Sequence, residues 1–231
     1  MQIIPLQQAI ETTGVKVLTY GFAGVGKTTL IATIPGKGLV LSAESGLLSL
    51  RQRIAAGTMA GAVDVVVVST IDDVREAYAV LAKAGHGYDW VALDSVSEIA
   101  EVVLTSEKAK TKDPRQAYGA LIDAMGSLLR AYRDLPLDVY FSAKAERVKD
   151  ESTGKVTVQV LMPGAKLAQA IPYLFDEVFH LVVVEDKEGN SARWLQTARD
   201  ARSDAKDRSG VLDAFEPADL GHVLRKIKGQ F

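Results

Sequence analysis

Short apolar runs alternate with amphipathic stretches over the first 140 residues of the chain. Val15–Tyr20, Gly38–Ala43, Val63–Val68, Trp90–Asp94 and Asp138–Ser142 are dominated by apolar residues, the signature of strands buried on both faces. Between them, residues 28–34, 46–56, 71–84 and 115–135 show helical spacing; Val74, Ala77, Val80 and Leu81 form one stripe. This alternation predicts an α/β fold with a mostly parallel central sheet flanked by helices. Beyond Ser142 the rhythm changes. Residues 144–148 and 155–161 flank the turn-rich Asp150–Gly154, and residues 176–185 and 193–197 flank Lys187–Asn190. Both pairs predict hairpins, so antiparallel strands are added toward the C-terminus. Residues 198–210 are polar and read as a loop, and residues 217–228 as a closing helix with Pro217 in its first turn.

Composition narrows the classes. With 231 residues, 48% hydrophobic and 24% charged, the chain is expected to form one compact domain over residues 1–231. A chain of this size buries roughly 70% of its unfolded surface and needs no disulfide or metal to hold a core. There are no cysteines, which excludes thiolate zinc sites and cysteine nucleophiles and suits a reducing cytoplasm. The formal charge of -2, from 27 Lys+Arg against 29 Asp+Glu, gives no global field toward nucleic acid, so any such contact must be a local patch. No apolar run approaches the ~20 residues of a membrane helix, and the amino terminus lacks a signal-peptide pattern, so a cytoplasmic location without membrane contact is expected.

The strongest chemical signal is Gly21, Phe22, Ala23, Gly24, Val25, Gly26, Lys27 and Thr28, followed by Thr29. It matches G-x-x-x-x-G-K-[ST] at the end of one predicted strand and the start of a helix. Glycines let backbone N–H groups wrap a phosphate at distances that side chains would obstruct. Lys27 is expected to reach the β and γ phosphates and Thr28 to ligate Mg²⁺, with the following helix offering the positive end of its dipole. Tyr88–Ser95 is a buried-strand run ending in a carboxylate, and Asp94 is the expected partner of Mg²⁺. Glu44 ends another inner strand, where an open sheet assembles its ligand crevice. From spacing alone it either polarises the attacking water or caps the helix near Gly46.

The order of phosphate loop, strand ending in Ala43-Glu44, and strand Val91–Val96 resembles the RecA core, a P-loop NTPase fold. That resemblance gives Glu44 the role of base. The short chain looks closest to the small phage P-loop proteins with a reduced RecA core, the Sak-type single-strand annealing proteins, over roughly Val15 to Gly210. Ala205–Gly210 resembles the Lys-x-Arg signature of RadA and DnaB-type helicases, which implies that Lys206 and Arg208 reach the γ-phosphate of a neighbouring subunit. A solvated charged loop is the alternative, because residues 199–208 are nearly charge-balanced. The implied function is an ATPase that binds single-stranded DNA and promotes annealing or recombination, as a homo-oligomer with shared active sites and with a single-strand-binding protein as a further partner.

Two basic segments occupy the positions of the RecA DNA-binding loops: Lys108, Lys110, Lys112 and Arg115, and then Lys144, Arg147 and Lys149. Solvated loops of the same composition are the alternative reading. Where RecA has a glutamine that senses the γ-phosphate, Ser142, Ala143 and Lys144 stand here. The guanine-recognition motifs Asp-x-x-Gly and Asn-Lys-x-Asp do not appear, so adenine is favoured and ATP with Mg²⁺ is expected. His86, His180 and His222 have no metal-ligand spacing. A nucleotide-gated assembly module that recruits a protein without touching DNA is a second reading, favoured by the near-neutral charge. A small-molecule kinase ranks last, since no arginine-rich lid is evident.

Overall fold

The computed structural model describes residues 3–44, 46–185 and 187–230. In chain order the strands are β1 (Lys16–Gly21), β2 (Gly36–Ser42), β3 (Gly61–Val67), β4 (Trp90–Asp94), β5 (Asp138–Lys149), β6 (Val156–Leu161), β7 (Glu177–Glu185), β8 (Ser191–Gln196), β9 (Lys206–Asp207) and β10 (Phe215–Pro217). The helices are α1 (Leu6–Thr12), α2 (Arg51–Ala55), α3 (Ile71–Leu81), α4 (Val96–Lys110), α5 (Pro114–Arg133), α6 (Ala165–Ala170) and α7 (Leu220–Ile227), with 3₁₀ turns at Thr28–Thr33, Gly46–Leu50 and Ile171–Leu174.

One sheet runs in the order β10-β8-β7-β1-β5-β4-β2-β3. From β7 to β3 neighbouring strands are parallel, while β8, β10, β6 and β9 pair antiparallel. This is the mixed α/β architecture that the hydrophobic pattern predicts. Every residue of β1 and β4 is buried, which follows from their central places and the helices on both faces. Alternation along β1 sends Leu18 and Tyr20 to the face covered by α3, α4, α5 and α6, and Val17 to the face covered by the 3₁₀ turn after the loop and by α7.

Several local expectations change. The segment after the glycine-rich loop is a six-residue 3₁₀ helix, about two turns, so few peptide dipoles align toward the loop and the dipole contribution is correspondingly small. Residues 96–110 form the fifteen-residue helix α4, where no helix is expected. The polar stretch 198–210 is partly ordered: β9 pairs with β7 because Lys206 and Asp207 find buried partners there. Pro217 ends β10, and α7 begins at Leu220 with Asp219 accepting from the His222 N–H at 2.8 Å. Proline cannot donate to a ladder, and an edge strand tolerates that.

Candidate nucleotide site

Parallel strands place their carboxyl ends on one edge of the sheet, and the candidate residues gather there. Gly21 ends β1, and the loop behind it turns through Gly24 and Gly26, at φ 78° and 106°. Those values favour glycine over any side chain. At Gly26 a Cβ would also stand 3.2 Å from the Arg193 Nε. Lys27 is buried and its Nζ donates to the Gly21 and Phe22 carbonyls at 3.0 and 3.1 Å. Burial lowers its pKa, an effect that the charges of Glu44 and Asp94 oppose. The Tyr140 hydroxyl donates to the Lys27 carbonyl at 3.0 Å, and Arg193 Nε donates to the Val25 carbonyl at 2.9 Å. Two residues remote in sequence thus fix the loop from below and from the side.

Asp94 ends β4 and is buried. The Thr28 hydroxyl donates to its Oδ2 at 2.7 Å, and the Ser142 hydroxyl donates to its Oδ1. Burial raises the Asp94 pKa despite these two hydroxyls. A carboxylate in that position lacks a directly bonded cation, and the chemistry it completes with the Thr28 oxygen is that of a hard divalent ion. The two protein oxygens suit Mg²⁺, which takes its remaining positions from phosphate and water. Among the described residues there is no group of three or more His, Asp or Glu that could hold a metal by itself.

Glu44 follows β2, whose end is tied to β4 by the Ala43 N–H donating to the Asp94 carbonyl at 2.8 Å. Its Oε1 accepts from the Ser95 hydroxyl and stands 3.8 Å from Lys144 Nζ. The Ser95 hydroxyl also accepts from the Glu98 N–H, capping α4 at 3.3 Å. Lys144 Nζ bonds the Glu98 carboxylate. Burial disfavours the charge on Lys144, but Glu98 outweighs it and the pKa rises.

The structure therefore brings together Gly21–Thr28, Glu44, Asp94 and Lys144. Lys206 and Arg208 lie elsewhere. Lys206 Nζ donates to the Pro172 carbonyl at 2.9 Å and to the Phe175 carbonyl at 2.5 Å, and Arg208 pairs with Asp176 at 2.9 Å. Register places them beside the opposite end of β1: Lys206 faces Val178, which pairs with Leu18. Of the basic segments, Lys108 and Lys110 form the last turn of α4, Lys108 over the Tyr118 ring and Lys110 paired with Glu107 at 2.6 Å. Lys112 is exposed between α4 and α5, and Arg115 is exposed in the first turn of α5. Arg147 lies over the Phe22 ring at 4.5 Å, and Lys149 is exposed at the end of β5.

Sequence reasoning misses Ser95, Glu98, Tyr140 and Arg193 as members of this site. Ser95 and Glu98 carry a legible signal, a capping serine with a glutamate three residues on. Arg193 carries none, because its contact spans 168 residues of chain.

A parallel sheet with a glycine-rich loop at one strand end, a threonine–aspartate pair and a glutamate beside it defines a P-loop nucleotide-binding core. The chain belongs to the AAA domain family, whose model matches residues 13–209. P-loop ATP hydrolysis is the general activity of that class, with nucleotide and usually Mg²⁺ as its requirements. No curated protein matches the chain in sequence. Among the described residues no helix is long and apolar enough to cross a membrane.

Proposed function

We propose that this chain is a RecA-like ATPase of the Sak type, which binds ATP with Mg²⁺, hydrolyses it and couples that cycle to the binding and annealing of single-stranded DNA. The observation that carries the ATPase reading is the convergence of Lys27, the Thr28–Asp94 pair and Glu44 on the carboxyl edge of one sheet. In this reading the loop amides and Lys27 hold the phosphates, and Glu44, kept in place by Ser95, accepts the proton of the attacking water. Mg²⁺, held by Thr28 and Asp94, supplies charge neutralisation at the phosphates. Little covalent chemistry is required of the protein beyond positioning and electrostatics.

Arg208 is the candidate for completing the site of a neighbouring copy. Its side chain is 60% exposed, and an exposed pair such as that with Asp176 contributes ~0–1 kcal/mol, so it exchanges partners easily. Lys206 is tied to two backbone carbonyls and serves instead to hold β9 in place. DNA contact falls to the exposed Lys112, Arg115 and Lys149. That Lys108, Lys110 and Arg147 already have intrachain partners favours the second reading, a nucleotide-gated assembly module without DNA binding.

Titration of a fluorescent single-stranded oligonucleotide, with and without ATP and Mg²⁺, separates the two. The DNA reading expects ATP-dependent binding that weakens with salt, with each phosphate contact contributing about 0.7 to the logarithmic slope on single strands. Charge reversal at Lys112, Arg115 and Lys149 then flattens that slope. Oligomerisation with ATP but no oligonucleotide binding at low salt selects the assembly module.

A further inference from the structure

Lys144 is placed by three independent features. Its Cα is the register partner of Gly21, the first residue of the phosphate loop, so the lysine stands on the neighbouring strand level with the loop's beginning. It lies two residues beyond Ser142 on β5 and projects to the same face, one pleat or about 7 Å further toward the open edge than the hydroxyl that touches Asp94. Its ammonium is 3.8 Å from the Glu44 carboxylate and close enough to Lys27 for the two charges to oppose each other.

The bond that holds this ammonium is local and exchangeable. Glu98 sits in the first turn of α4, and both side chains are about one-third exposed, at 37% for Lys144 and 33% for Glu98. The backbone of Lys144 is fixed independently, its N–H donating to the Ser97 hydroxyl at 2.9 Å while that hydroxyl donates to the Leu161 carbonyl at 2.7 Å. Glu44, Glu98 and Asp94 make the edge acidic, so a triphosphate entering beside them needs a second cation besides Lys27. We propose that Lys144 reads the terminal phosphoryl group of a bound nucleoside triphosphate, leaving Glu98 to do so and returning to it when only a diphosphate remains. The backbone clamp keeps β5 still while the side chain swings. The exchange frees the Glu98 carboxylate at the start of α4, so occupancy by triphosphate is reported to the helix that also carries Ser95, the partner of Glu44.

This inference rests on the reading of the chain as an ATPase, and its test keeps the two apart. Calorimetric titration with ADP and with a slowly hydrolysed ATP analogue, both with Mg²⁺, gives a preference ratio for each protein. Lys144→Met is expected to keep ADP affinity within a few-fold, which also reports that it is folded, while losing about 10- to 100-fold of the triphosphate preference, the scale of one charge-assisted hydrogen bond. Its turnover falls by about 10²-fold or more. Lys144→Arg recovers part of the preference. Glu98→Gln raises the preference several-fold, because Lys144 no longer has a competing carboxylate. A purely structural ion pair predicts the opposite pattern: both variants lose melting temperature while the preference ratio and turnover stay at the wild-type values, and that result overturns the proposal. If the wild-type protein binds neither nucleotide, the ATPase reading falls and the proposal with it; if it binds both but Lys144→Met keeps the wild-type ratio, only the proposal falls.

Discussion

Charges are buried at both ends of the parallel sheet, and the two ends treat them differently. At the amino end of β1, burial holds Lys16 down to about 8, and its Nζ donates to the Leu135 carbonyl at 2.7 Å and to the Leu137 carbonyl. Lys206 likewise bonds two carbonyls. Glu177, buried next to Asp207, is pushed up to about 8 by desolvation and by that neighbour's charge, so it is a neutral acid over most of the useful pH range. These partners are backbone groups or a shared proton, and they cannot leave without unfolding β9. At the carboxyl end, about 17 Å away along β1, Asp94 has only hydroxyls, Lys27 rests on carbonyls of its own loop, and Lys144 shares itself between two carboxylates. Partners of that kind can be exchanged for a ligand's groups. Buried charge marks a site where its partners are replaceable, and marks a structural pin where they are not.

The contrast can be broken in four ways. The largest effect belongs to Lys27→Ala, which should abolish turnover and weaken triphosphate binding with little change in melting temperature, because the side chain bonds only its own loop. Wild-type affinity and hydrolysis in the folded variant would remove the basis for calling this end a site. Next is Arg208→Ala, at the rim of the opposite end, which should bind ATP yet lose 10³-fold or more of its turnover if the residue acts across an interface, as ~10³–10⁵ is the scale for an arginine at a γ-phosphoryl. Mixing it with Lys27→Ala should then restore activity, each protein supplying the half that the other lacks; no recovery makes Arg208 another pin.

Glu44→Gln should bind ATP normally and hydrolyse it about 10²-fold more slowly, as expected when a positioned base is lost. A lower melting temperature with turnover retained would move Glu44 from chemistry to support of the Ser95 contact. The smallest effect is a pH dependence at the other end. The folded protein holds the Glu177 proton up to about 8 and the unfolded chain releases it near 4.5, so the folded state binds one proton more throughout that window. Stability from this group is therefore present below 4.5 and lost as pH rises through about 8. Glu177→Gln keeps the neutral shape and should remove that part of the slope, measured as the difference between the two proteins' urea midpoints from pH 5 to 9. Parallel curves would show that Glu177 is ionised in the folded state.

Much of this organisation is legible in the residues themselves. The five inner strands, the two hairpins and the helices over 71–81 and 114–133 follow from periodicity and turn chemistry, since a strand buried on both faces leaves little choice of composition. The spacing of Val96, Ile99, Ala100, Val103 and Leu104 is the signal that identifies α4, and with Ser95 and Glu98 it marks where that helix starts. Reading the segment before Arg115 as a basic loop overlooks that Lys108 and Lys110 are the cationic last turn of this helix, where they suit the dipole.

The sequence by itself determined the phosphate loop, because glycines at positive φ, a lysine and a threonine at a strand end are a local requirement met by eight consecutive residues. It also determined that Asp94 and Glu44 end buried strands. Only the tertiary structure decided what those groups touch. Insertion of β5 between β1 and β4 is a matter of sheet order, and it alone brings Ser142 to Asp94 and Lys144 to the level of Gly21. The β7–β8 hairpin folds beside β1 and delivers Arg193 to a loop 168 residues away. The same packing gives Lys206 two carbonyl partners and leaves Arg208 at the surface, though the two are separated by one residue. Local pattern fixes which face of an element is buried, whereas the partner of a buried charge depends on which elements become neighbours, and that is set by the packing of the whole sheet.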